Sequence, residues 1–202
     1  MFGVIGDGGT VENLGLINVD INGGAYIGGI TGDNYGVIRN CYVAGKVSGT
    51  SGYVGGIIGY NWSSGIVRNC YSTAIVSGNG NIGGIVGNNA MNGYIQNCVA
   101  LNISITSTSM SNTAGRVVSN SGSTYVNNNY SSSSIILTVN GVVDDNNYQD
   151  DSKNGIRKTS VELNNQGFWT TASNWLTNGG ATAWDFTSIW EWDTATNLPK
   201  LR

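Results

Sequence analysis

The sequence predicts an all-β fold: a single parallel β-solenoid (β-helix) of about five right-handed coils. Three observations carry this. First, one phrase recurs. "VIRNCYV" (37–43), "IVRNCYS" (66–72) and "YIQNCVA" (94–100) set their Asn-Cys pairs at spacings of 29 and 28 residues, and a period of about 20–50 residues marks solenoids, propellers or arrays. Second, a glycine phrase keeps the same beat: "YIGGITGDN" (26–34), "YVGGIIGYN" (53–61) and "NIGGIVGNN" (81–89) recur at spacings of 27 and 28. Third, the residues after each Asn-Cys pair alternate. Cys70, Ser72, Ala74 and Val76 share one parity and Tyr71, Thr73 and Ile75 the other, which is the period of a strand. Coils of ~28 residues stack like on like at about 4.8 Å per rung, and the crossover rule makes them right-handed.

Composition narrows the function classes. Charged residues are only 10% of the 202 and the net charge is -3. Nucleic acid, which needs a concentrated basic footprint, is therefore excluded as a partner. The chain has no histidine, so the usual general base and the commonest metal ligand are missing. Its 31 glycines and polar residues suggest disorder, but 40% hydrophobic content with regular Val/Ile spacing argues for a packed core. No stretch approaches 18 apolar residues, so no transmembrane segment is expected. "MFGVIGDGG" has neither the charged nor the apolar region of a signal peptide.

Taken in order, "FGVIGD" (2–7) matches "GGITGD" (28–33), so the chain is expected to begin inside a repeat. The parent chain then extends upstream, and the uncapped N-terminal edge becomes a place for end-to-end stacking between molecules. "VENLGLINVDING" (11–23) is an early copy of the Asn-Cys phrase and "YVNNNYSSSS" (125–134) a late one, giving a solenoid over residues 1–138. Val67 and Cys70 both look inward although three residues apart, so a corner lies between them and Asn69 occupies it. Asn tolerates bent backbone and bonds to it. Stacked, Asn13, Asn40, Asn69, Asn97 and Asn128 are placed to pass amide hydrogen bonds from rung to rung. The inward cysteine serves as a small hydrophobe. Stacked parallel Cβ atoms lie somewhat too far apart for a disulfide, so three free buried thiols are expected.

Past residue 138 the composition changes. Charge appears in "VDDNNYQDDSKNGIRK" (143–158), and five of the six tryptophans follow, at 169, 175, 184, 190 and 192. "TSVE" (159–162) has the spacing of a capping box, so a short helix is expected there. Residues 139–202 read as a capping region packed on the solenoid end, where an open edge and core need cover and Trp buries a large area. A Trp-lined binding surface is the alternative.

"GGITG", "GGIIG" and "GGIVG", each followed by "RNCY"-like text, resemble the GLUG motif of bacterial surface proteins. "GFWTTASNW" (167–175) and "WDFTSIWEWDTATNLPKLR" (184–202) resemble the ends of such proteins. The resemblance covers most of the chain. Its middle position, often Leu in the family, is Ile30, Ile57 and Ile85 here, and "AGRVVSN" (114–120) departs further. The resemblance implies an adhesin-like protein, secreted or at the bacterial cell surface, or one carried beside extracellular peptidases.

Aligned rungs place Tyr26 over Tyr53, Tyr35 over Trp62, and Tyr42 over Tyr71. These six residues are the candidate ligand-binding set, an aromatic platform for sugar rings. The plain structural reading is that stacked rings stabilise neighbouring rungs. The columns end at Asn81, Ala90 and Val99. Asp7 and Asp33 are expected at equivalent turns, about 5 Å apart, a separation near that of retaining glycosidases but also suited to a cation or a solvated turn. "DDNNYQDD" (144–151) resembles a calcium loop without its central Gly and final Glu. "GDGG" (6–9) is no phosphate loop, since no Lys-Ser/Thr follows. No cofactor is expected and no metal site is assigned.

Three functions fit. The first is a non-catalytic surface module meeting glycans or host and matrix proteins. The second is a polysaccharide-active β-helix enzyme, short here of acids and bases. The third is an ice- or crystal-binding solenoid, for which the Thr ladder fails after Ala44 and Thr73. The first is favoured.

Overall fold

In a computed structural model, which describes residues 1–110, 114–144, 153–178 and 180–202, the repeats form the stacked coils of a parallel β-solenoid. The glycine phrase gives a short strand at Ile27–Gly28, Tyr53–Gly55, Asn81–Gly83 and Ala114–Gly115. A tight turn leads to the first face: Phe2–Ile5, Thr31–Asn34, Ile58–Asn61, Val86–Asn89 and Val118–Ser121. The second face follows: Thr10–Glu12, Val37–Arg39, Ile66–Arg68, Tyr94–Gln96 and Val126–Asn127. The third face begins with Gly15–Gly23 and Tyr42–Gly49 and then splits at a bend, as in Tyr71–Ser72 and Ile75–Gly78. Pairing between coils is parallel and in register: Val67 meets Ile38 on one side and Ile95 on the other. This stacking is compatible with the right-handed coiling that the crossover rule favours.

Register explains the core. Ile38, Val67 and Ile95 are fully buried, as are Val47, Val76 and Ile105 on the third face and Ile30, Ile57 and Ile85 at the glycine turn. Each aliphatic column buries itself against its own repeat, at roughly 1.5–3 kcal/mol per side chain removed from water. The glycine turn allows close backbone contact. A Cβ on Gly59 would lie 2.6 Å from the Ile27 nitrogen, so only glycine lets the first face pass that close to the neighbouring strand.

The Asn corners adopt the left-handed conformation, with φ of 54° at Asn13, 53° at Asn40, 52° at Asn69, and 55° at Asn97 and Asn128. This is a conformation that Asn accepts more readily than most residues. Cys41, Cys70 and Cys98 point inward, buried and free. Burial pushes the Cys70 thiol pKa up. In the next coil Asn129 takes the cysteine place. It donates to the Ile95 carbonyl at 2.8 Å and accepts from the Cys98 N–H at 2.9 Å.

The amide ladder expected along these corners is present only in part. Asn128 donates to Asn97 Oδ1 at 2.9 Å, but Asn69 donates to the Thr182 carbonyl at 3.0 Å and Asn97 to that of Leu176 at 2.9 Å. A continuous ladder runs instead at the end of the first face. Asn34 donates to Asn61 at 2.8 Å, Asn61 to Asn89 at 2.7 Å, and Asn89 to Ser121 Oγ at 3.2 Å. The amides of Asn69, Asn97 and Asn128 face the tail, where the carbonyls of Thr182, Leu176 and Asn174 take them. The first-face amides are buried and have one another.

In the tail, helix Ser160–Leu163 starts at Thr159 with the capping box its spacing predicts, and helix Gln166–Thr170 follows. The chain ends in an antiparallel hairpin, Trp190–Asp193 with Leu198–Leu201. Trp169, Trp175, Trp184 and Trp190 are buried with Leu163 against Tyr71, Val99 and Tyr130. The tryptophans therefore lie along the flank of the coils, over the Asn corners, where the sequence reading set them on the end. At the end itself, Ile156–Lys158 pairs with Tyr130–Ser132, and the Lys153 carbonyl accepts from the N–H groups of Val117 and Val118. Of the candidate calcium loop 144–151, residues 145–151 lie outside the described residues.

Candidate functional site

Aromatic residues gather where the glycine strand meets the first face. Tyr35 stacks on Trp62 with ring centroids 5.2 Å apart and planes 6° from parallel. Tyr60 bridges that pair to the glycine strand, 4.3 Å from Trp62, 5.0 Å from Tyr53 and 5.9 Å from Tyr26. Tyr26 and Tyr53 are 5.4 Å apart. The five rings make one continuous belt across two coils. Tyr26 is 41% exposed and the other four are half-buried. Burial raises the Tyr60 pKa.

Four of the six candidate residues thus come together, joined by Tyr60. Tyr60 stands near the end of the strand Ile58–Asn61 and Trp62 just past it, two residues on, so the alternation of extended backbone sets both rings on one face. The other two candidates are elsewhere. Tyr42 and Tyr71 stack at 5.0 Å, 3° from parallel, but beneath the tail. Tyr71 is 4% exposed and donates to the Pro199 carbonyl at 2.6 Å, and Tyr42 lies 6.3 Å from Trp190. Their place on an exposed platform is withdrawn, because the tail needs a flat apolar surface and this column supplies it.

Asp7 and Asp33 are not equivalent. Asp33 aligns with Val4 on one side and Tyr60 on the other, while Asp7 is exposed past the end of Phe2–Ile5. The first coil spends four residues, 6–9, on a turn that the next makes with Tyr35 and Gly36, and this shifted the register read from the sequence. The Asp33 carboxylate accepts from Trp62 Nε1 at 2.8 Å, so it orients the belt's largest ring. Among the described residues no group of three or more His, Cys, Asp or Glu gathers to hold a metal.

The recurrent glycine strand, the left-handed Asn corner and the inward cysteine recur as one unit, and that unit is recognisable. Residues 50–77 match the GLUG motif. This GLUG stretch holds Tyr53, Tyr60 and Trp62 of the belt together with the Asn69-Cys70 corner. A solved structure described as a putative immunoglobulin A1 protease from Bacteroides ovatus shares the fold. It superposes with a TM-score of 0.62 at 24% identity, over 99% of this chain and 70% of that one. A search of curated proteins finds no match. Among the described residues no helix is long and apolar enough to cross a membrane.

Proposed function

We propose that this GLUG-motif solenoid is a non-catalytic module of a bacterial extracellular surface protein, adhesin-like, which meets glycans through its aromatic belt. The observation that carries the reading is the belt itself: Tyr26, Tyr53, Tyr60, Trp62 and Tyr35 in one chain of contacts from 4.3 to 5.9 Å. Aromatic faces of this kind receive the apolar faces of flat ligands, and Asp33 fixes the tilt of Trp62. A solenoid also holds its ends apart at a fixed rise per coil, which suits presentation and multivalent contact. The bacterial, extracellular setting is drawn from the motif. Against an enzyme of the β-helix kind, Asp33 is engaged by Trp62, its supposed carboxylate partner Asp7 stands in a different turn, and there is no histidine.

The test uses immobilised neutral glycans. The intact domain should bind at least one of them, and Trp62→Ala should weaken that binding about tenfold, the loss of ~1.4 kcal/mol of contact, with the melting temperature little changed. Product released from any polysaccharide, and abolished by Asp33→Asn, would establish the enzyme instead.

A further inference from the structure

The five corner asparagines share one left-handed backbone conformation, so their amides leave the coils in the same way, one per rung. Three of them hold the tail by its main chain. Asn128 donates to the Asn174 carbonyl at 2.9 Å. Asn97 clamps Leu176: its Nδ2 donates to the Leu176 carbonyl at 2.9 Å and its Oδ1 accepts from the Leu176 N–H at 2.8 Å. Asn69 and Asn97 both donate to the Thr182 carbonyl, at 3.0 and 2.9 Å. Trp175, between Asn174 and Leu176, has extended backbone at φ -122° and ψ 142°. Successive corners therefore take carbonyls two residues apart on one side of an extended chain.

The tail leaves this column at Thr182, and two rungs remain. Asn40 and Asn13 line a groove of about 490 Å³ between the second face and the tail, within the range of about 300–1,000 Å³ typical of ligand clefts. Among the described residues no hydrogen bond engages either side-chain amide. Asn13 is exposed and Asn40 half-buried. The floor is aliphatic: Val37 and Ile66, half-buried, are Cα partners on adjacent strands, and Ala183 and Ile189 face them from the tail wall. No aromatic ring among the described residues lines the groove. Its charged groups are already engaged. Glu12 pairs with Arg39, Arg68 Nε donates to Gln96 Oε1 at 3.0 Å, and Asp185 accepts from the N–H and hydroxyl groups of Thr187 and Ser188.

We propose that this groove docks an uncharged, extended peptide segment of a partner protein, which continues the path of the tail over Asn40 and Asn13. Asn40 clamps the N–H and carbonyl of one peptide residue as Asn97 clamps Leu176. Asn13 donates to a carbonyl two residues further on, and an aliphatic side chain lies on Val37 and Ile66. The column it extends is already a main-chain interface. A side-chain amide offers one donor and one acceptor side by side, which match the N–H and carbonyl of a peptide. Sugar hydroxyls carry no such pair, and the groove has no ring to receive a sugar face. A charged segment would bring a group with no partner into a half-buried cleft. The site is separate from the aromatic belt and independent of it.

Nuclear magnetic resonance titration of the whole isotope-labelled chain tests this, with acetyl-Thr-Val-Thr-Val-Thr-amide as the probe, an uncharged peptide whose β-branched residues favour the extended form. The side-chain amide signals of Asn13 and Asn40 should shift together and saturate, with little response to added salt. The same peptide N-methylated at every residue lacks the N–H groups and should bind at least fivefold more weakly. Asn40→Gly accepts the left-handed backbone but removes the amide, and should cost at least fivefold with the melting temperature little changed. Ile66→Glu sets a charge on the floor and should cost as much; it carries the test if Asn40→Gly does not fold. The proposal is overturned if the peptide does not bind at millimolar concentration, if its N-methylated form binds equally, or if the folded variants bind like the wild type. It is also overturned if chitotriose, whose acetamido groups carry an N–H and a carbonyl, displaces the peptide on equal terms, since the groove would then be a sugar site. Neutral glycans score the belt separately, so a failure there leaves this result standing.

Discussion

The coils bury aliphatic side chains in columns, each meeting its own repeat above and below, while the tail buries four tryptophans once each in a cluster of unlike rings. In the coils, buried polar groups are matched by neutral amides, Asn34 to Asn61 to Asn89. In the tail, turns are tied by carboxylates, Glu162 to Thr159, Asp185 to Thr187 and Ser188, Asp193 to Ala195 and Thr196. A stacked array is stabilised by nearest-neighbour interfaces, whereas a single cluster depends on each of its members. The two regions meet through Tyr71, Tyr130 and the Asn corners, and this seam is where their independence is open to measurement.

Trp184→Ala should have the largest effect. Trp184 is 4% exposed, packs 4.8 Å from Trp169 and 4.7 Å from Trp190, and donates to the Asn97 carbonyl at 3.2 Å. Large-to-small replacement at such a site costs about 3–5 kcal/mol. The expected outcome is an undocked tail over folded coils: red-shifted tryptophan emission with the far-ultraviolet β signal retained. Loss of both signals in one thermal step would show that the tail is part of the coils' cooperative unit.

Asn61→Ala addresses the coils. Asn61 is fully buried in the middle of the ladder, accepting from Asn34 and donating to Asn89. Its removal orphans one donor and one acceptor in the core, at about 2–3 kcal/mol. The coil transition should move to lower denaturant while tail emission still reports packed tryptophans. A loss as small as that of an exposed Asn→Ala change would show that water replaces the side chain in the ladder.

How much of this was readable follows the same division. The coils repeat, so a position that must be small, bent or apolar shows its requirement several times. Asn40, Asn69 and Asn97 announced a corner that the left-handed φ values bear out, and Cys41, Cys70 and Cys98 an inward column. What repetition does not say is where an amide sends its hydrogen bond. The corner amides and the first-face amides recur with equal regularity, yet the second set bonds along its own column while Asn69 and Asn97 of the first donate to tail carbonyls. The tail has no period. The Thr159–Glu162 box was legible because capping is local, but the docking of Trp184 against Asn97 joins residues 87 apart in sequence. Nothing local in Tyr71 distinguishes a ring covered by the tail from a ring open to solvent, so Tyr42 and Tyr71 looked like Tyr35 and Trp62.

Acid should separate the regions most gently. Bonds from the Thr159 N–H and hydroxyl, and then from Lys158, hold Glu162 down at about 2 against an ordinary value of 4.5. The hydroxyl and N–H groups of Ser188 and Thr187 hold Asp185 well below its ordinary 3.8, and Asp193 is lowered by the Ala195 N–H and the Thr196 hydroxyl. A carboxylate with a depressed folded pKa contributes stability above its unfolded pKa and loses it as pH falls through the folded value. For Glu162 that window runs from 4.5 down to about 2. The Asn34–Asn61–Asn89 ladder has nothing to protonate across the same range. Lowering the pH from 5 to 2 should therefore loosen the tail first, read as a change in tryptophan emission at constant far-ultraviolet signal. Glu162→Gln removes one of these linkages, so its transition should be shallower in pH, with a slightly weaker tail at neutrality. Coils that melt at the same pH as the wild-type tail would place acid-sensitive contacts inside the solenoid, and the contrast between neutral columns and carboxylate-tied turns would fail there.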